Sequence, residues 1–105
     1  MTTTTTHIIA SPTLDPVTII IQDFEPGRGE IIVKCFDCAW TAFWGSTGND
    51  SIADFLKRVS ANYVANNLIR GRRQWISNKR QEEREFAYLL KVAQAIVDAA
   101  KGGAL

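Results

Sequence analysis

Val17-Thr18-Ile19-Ile20-Ile21-Gln22-Asp23-Phe24-Glu25-Pro26-Gly27-Arg28-Gly29-Glu30-Ile31-Ile32-Val33-Lys34-Cys35-Phe36 decides the fold of this chain. From Val17 to Phe24 the residues are β-branched or aromatic except Gln22 and Asp23, a composition that suits a pleated and mostly buried strand. Glu25 to Gly29 stops it, because proline fixes its own φ and the two glycines accept positive φ, which predicts a hairpin loop. Glu30 to Phe36 is again rich in isoleucine and valine. After Asp37, Cys38 to Trp44 sets Trp40, Ala42 and Trp44 against Ala39, Thr41 and Phe43. The reading is three antiparallel strands in meander order. Both faces of the second and third strands hold apolar side chains, which predicts helices on one face and partial cover on the other.

Toward the N-terminus, residues 1–16 combine a threonine run with Pro12 and Pro16 and show no sustained period; they read as a flexible arm in which His7-Ile8-Ile9 can add a short edge strand. Residues 17–105 read as a single α+β domain. Toward the C-terminus, Gly45 to Asp50 forms turns, and Ser51-Ile52-Ala53-Asp54 has the spacing of a capping box. A helix is expected there, with Ile52, Phe55, Leu56, Val59 and Tyr63 forming its apolar stripe. A second is expected from about Asn78, where Phe86, Leu89, Leu90, Ala93, Ile96, Val97 and Ala100 recur at helical intervals until Gly102 and Gly103 end it. Asn66 to Ser77 supports a short third helix broken near Gly71. The fold class is therefore α+β: a three-stranded antiparallel β-meander followed by two or three helices packed on one face.

Its 105 residues leave room for one core. An apolar share of 46% with 22% charged residues is globular usage rather than that of a disordered chain. No apolar run reaches the ~20 residues of a membrane-spanning helix, and Met1 to Thr6 lacks the charged and apolar regions of a secretory signal, so a cytoplasmic address with no membrane partner is expected.

The net charge is only +1, yet charge is segregated. Residues 1–54 carry seven acids against two bases, whereas Phe55 to Gln81 carries Lys57, Arg58, Arg70, Arg72, Arg73, Lys79 and Arg80 with no acid. Arg70-Gly71-Arg72-Arg73-Gln74-Trp75 adds an aromatic ring to the basic cluster, a pairing that holds phosphates by charge while stacking a base or an arginine. The plainer account is that these bases solvate a helix end or meet acids of the sheet, with Trp75 in the core. Trp40, Phe43 and Trp44 lie within five residues of one strand, so Phe43 or the tryptophan pair must face away from the buried side.

Cys35-Phe36-Asp37-Cys38 has the spacing of zinc knuckles and redox pairs. A zinc site needs more ligands than two cysteines, and the only histidine, His7, sits in the expected flexible arm; a redox pair needs a helix N-terminus, whereas this one is expected between strands. Two strand or turn cysteines is the preferred reading, with no metal and no cofactor. No serine or cysteine nucleophile has a histidine partner and no phosphate-loop pattern occurs, so the chain is not expected to be an enzyme.

Asp23 to Gly29 followed by Ala39-Trp40-Thr41-Ala42-Phe43-Trp44-Gly45 resembles small accessory proteins of enterobacterial phages and prophages. The resemblance covers about a third of the chain. It implies a non-enzymatic binding protein that meddles with host or phage nucleic-acid machinery, including host-defence antagonists such as anti-CRISPR proteins. The expected partner is a host or phage protein, touched through Trp40, Phe43 and Trp44 or through Arg70, Arg72, Arg73, Trp75, Lys79 and Arg80. The alternative is direct nucleic-acid binding by Arg70 to Arg80 with Trp75. An exposed aromatic strand also predicts a homodimer.

Overall fold

The computed structural model describes residues 2–105. Four strands, β1 (Thr3–Ser11), β2 (Leu14–Glu25), β3 (Arg28–Cys35) and β4 (Cys38–Trp44), form one antiparallel sheet in sequential order. They are followed by α1 (Ile52–Leu56), α2 (Ala61–Arg70), a single 3₁₀ turn at Arg73–Trp75 and α3 (Lys79–Lys101). The α+β class and the antiparallel meander agree with the sequence reading. The strand count does not: there are four rather than three.

The fourth strand is β1. The threonine run pairs residue for residue along β2, from Thr3 opposite Asp23 to Ile9 opposite Val17. Threonine is β-branched and fits a pleated edge without apolar alternation, which is why period-based reading passes over it. The expected boundary at 16/17 consequently falls inside β2.

Pro26-Gly27 makes a two-residue turn, shorter than the expected five-residue loop, with Glu25 opposite Arg28 and Gly27 at φ 86. The helices lie on one sheet face, with α2 against β4, α1 against β2 and β3, and α3 against β1 and β2. Val17, Ile19 and Ile21 of β2, Ile31 and Val33 of β3, and Trp40, Ala42 and Trp44 of β4 are buried beneath them. Leu68 and Ile69 of α2 and Leu89, Val92, Ile96 and Val97 of α3 close the core from the other side.

The single stripe expected from Ile52 to Tyr63 is divided between two helices. Ser51 caps α1 by accepting from the Asp54 N–H, and Ser60 caps α2 by accepting from the Tyr63 N–H. A second capping serine nine residues after the first lets the chain restart in a new direction while keeping its apolar face inward. Asn78 caps α3 in the same way at the Gln81 N–H, where the long helix was expected to begin, and Gly102 and Gly103 end it.

Candidate functional site

Strand alternation settles which aromatic rings are available. Trp40 and Trp44 point into the core at 6% exposure each, and Phe43 points outward at 55%. The Trp40 indole N–H donates to Glu85 Oε2 at 3.2 Å and its ring meets Tyr88 at 5.6 Å. The Trp44 indole donates to the Tyr63 hydroxyl at 3.1 Å and packs on Phe55 at 5.4 Å. Both tryptophans therefore have structural partners for ring and nitrogen alike.

The outer sheet face reads in rows across the four strands: Thr4, Gln22, Glu30, Phe43; Thr6, Ile20, Ile32, Thr41; Ile8, Thr18, Lys34, Ala39. Threonines flank the half-exposed Ile20 and Ile32, and Phe43 leans on Phe24 with a centroid separation of 6.4 Å. This is a mixed face rather than a continuous apolar patch. It does not have the character of a hydrophobic docking surface.

The basic segment is built differently. It forms the connection between α2 and α3, at one end of the helical pair. Arg72 reaches across to α3 and makes a two-pronged contact with Glu85, both distances 3.2 Å, and Arg73 pairs with Glu82 at 3.0 Å. Glu85 thus serves Trp40 and Arg72 at once, and it holds the Arg72 guanidinium above its already high ordinary pKa. Elsewhere in the basic half, Lys57 pairs with Asp54 and Arg58 with Asp50. Among the described residues, Arg70, Lys79 and Arg80 have no acidic partner.

Lys79 and Arg80 open α3, a helix of 23 residues. There the macrodipole is positive and disfavours cations, with only Glu82 in the first turn to offset them. Between them and Arg70 the 3₁₀ turn presents Trp75 at 70% exposure, not in the core. A cleft of about 320 Å³ is lined by Asn66 of α2, Arg73 of the 3₁₀ turn and Lys79, Glu82, Glu83 and Phe86 of α3.

Of the nine residues singled out in sequence, then, Arg70, Trp75, Lys79 and Arg80 converge on one exposed end, with Arg72 and Arg73 as its ion-paired base. Phe43 lies apart on the sheet, and Trp40 and Trp44 are interior. Sequence reading gives Glu82, Glu83 and Glu85 only the role of stabilising the positive end of the helix; the structure adds that Glu85 and Glu82 pair with Arg72 and Arg73 and so divide the arginines into clamped and free. Their spacing of three on α3 was the available signal.

No group of three or more histidine, cysteine, aspartate or glutamate side chains suited to a metal ion occurs among the described residues, and no described helix is long and apolar enough to cross a membrane. A family model described as a phage family matches residues 1–99. No curated protein and no solved structure matches the chain.

Proposed function

We propose that this chain, which belongs to that phage family, is a non-enzymatic accessory binding protein that acts on host or phage nucleic-acid machinery through protein contacts. One observation carries the reading: Trp75 stands 70% exposed on the connection between α2 and α3, anchored by the Arg72–Glu85 and Arg73–Glu82 pairs, and at the two ends of that connection lie Arg70 and Lys79–Arg80, three cations with no acidic partner among the described residues. Tryptophan and arginine are the residues that most often dominate protein interfaces, and a pre-anchored loop loses little freedom on binding. The partner surface this selects is acidic with an apolar pocket for one indole. Antagonism of a host defence, as by an anti-CRISPR protein, is the sharpest form of the proposal, and it places the protein in the cytoplasm of the bacterial host.

The test is capture from host lysate before and after nuclease treatment, with wild type, Trp75→Ala and Arg70→Glu/Arg80→Glu. A partner that survives nuclease with wild type and is lost with both variants supports the reading. A partner held equally by all three forms ends it.

Direct nucleic-acid binding is the second reading, favoured by the same three unpaired cations. With Arg72 and Arg73 already engaged, contacts to duplex phosphate would come from about three groups, so log affinity should fall against log salt with a slope of roughly −3. No measurable DNA or RNA affinity at low salt removes it. Self-association is the remaining element of the proposal: β1 leaves one edge of the sheet open and carries no charged residue to discourage a second copy. Light scattering should show a mass rising above 11.7 kDa with concentration, and a constant monomer would refute it.

A further inference from the structure

The end of the β3–β4 hairpin brings the two cysteines of the chain together. Cys35 and Cys38 are direct partners in the register, separated only by Phe36 and Asp37. Opposed residues of an antiparallel pair send their side chains to the same face with Cα atoms ~4.5–5.5 Å apart. A disulfide requires ~4.4–6.8 Å, so the backbone already has the spacing. Both sulfurs are free thiols, Cys35 half-buried against the core and Cys38 exposed. Together with Asp15, Trp40 and Tyr88 they line a cleft of about 370 Å³ through which a small reagent can approach.

The structure assigns Cys35 and Cys38 as a modification site: a dithiol that a small-molecule disulfide, of the class of oxidised glutathione, converts into a cross-strand disulfide closing the hairpin end. The exposed Cys38 loses its proton and attacks one sulfur of the reagent, breaking the reagent's S–S bond and releasing one thiolate. Cys35 then loses its proton and attacks the Cys38 sulfur, forming the protein disulfide and releasing the second thiolate. The two protein thiols are oxidised, the reagent is reduced to two thiols, and the two protons lost by the protein appear on them. Burial orders the steps, since Cys38 is the more exposed thiol and takes the first encounter while the half-buried Cys35 waits opposite it.

Metal capture is the competing use of two such sulfurs. It lacks further ligands, because no third metal-binding side chain joins them among the described residues. The bond would lock the hairpin that carries Phe36, a ring 80% exposed at φ 52.

The experiment equilibrates the whole chain in glutathione buffers of graded oxidised-to-reduced ratio, traps remaining thiols by alkylation and weighs the intact protein. Both thiols should disappear together, leaving a monomer lighter by two hydrogens with no glutathione attached. Cys35→Ser should instead retain one glutathione on Cys38, because the second sulfur is missing. Two alkylatable thiols in the most oxidising buffer, with circular dichroism showing an intact fold, would overturn the assignment. So would a wild-type chain that accumulates only single glutathione adducts or disulfide-linked dimers. If Cys35→Ser does not fold, the wild-type series decides alone.

Discussion

Glu85 is the residue on which core and surface meet, since one carboxylate accepts the Trp40 indole and both prongs of Arg72. Glu85→Ala leaves a buried indole N–H without its partner and frees the loop arginine, so urea unfolding should show a loss of about 1–3 kcal/mol, with Glu85→Gln costing less because an acceptor remains. Tyr88 presents the opposite case. Its hydroxyl is buried with no hydrogen-bond partner, and burial first, then the neighbouring Cys35, pushes its ionisation above the ordinary tyrosine range. Folded Tyr88 therefore holds its proton more tightly than unfolded Tyr88. Its contribution is complete below the unfolded value of about 10 and declines as pH rises through it, because only the unfolded chain ionises readily there. Tyr88→Phe removes an unsatisfied hydroxyl and should change stability at neutral pH by no more than ~1 kcal/mol. The same variant should flatten the alkaline fall in urea midpoint; an unchanged alkaline slope would contradict this account.

At the scale of elements, the sheet is joined to α1 by Asp23, whose Oδ1 accepts the first backbone N–H of the helix, that of Ile52, at 2.7 Å. Beside that joint a Cβ added at Gly29 would collide with the Gln22 carbonyl oxygen and with Ile52 Cγ1. Gly29→Ala should therefore force sheet and helix apart and cost about 1–3 kcal/mol in thermal or urea unfolding. An unperturbed variant would mean that the joint is looser than it stands. The sequence discloses most of this level. β2 and β3 are legible from their β-branched composition on either side of the Pro26-Gly27 turn, β4 from an imperfect alternation, and α3 from its period-3.6 apolar stripe. Of β1 the sequence shows only the short edge strand at His7-Ile8-Ile9 and hides the threonine part, which is exposed and carries no burial signal, and it hides the restart at Ser60, because the apolar stripe continues across the break. For the candidate site, the basic cluster and Trp75 are visible as composition. Which arginines are free is not, because it depends on Glu82 and Glu85 crossing from another helix.

For the whole molecule, segregated charge becomes a division of labour: the acidic half builds the sheet, and the basic half ends in a helix connection with three uncompensated cations. The uses of the two halves should separate experimentally. Trp75→Ala touches no core partner and should leave unfolding within about 0.5 kcal/mol of wild type while abolishing partner capture. Substitutions in the sheet core should lose both together. A Trp75→Ala chain that unfolds early would show that the ring belongs to the fold after all.

The tip of the β3–β4 hairpin also bears on engineering. Left-handed backbone at Phe36 costs a bulky residue about 1–2 kcal/mol that glycine would not incur, and the ring recovers little by contact because it projects into water. Anyone seeking a hardier version of this protein would write glycine at position 36 and expect a higher melting temperature. The exchange would strip the turn of its only large side chain, so comparing the two forms in infected cells would tell whether robustness or that ring matters more to the phage.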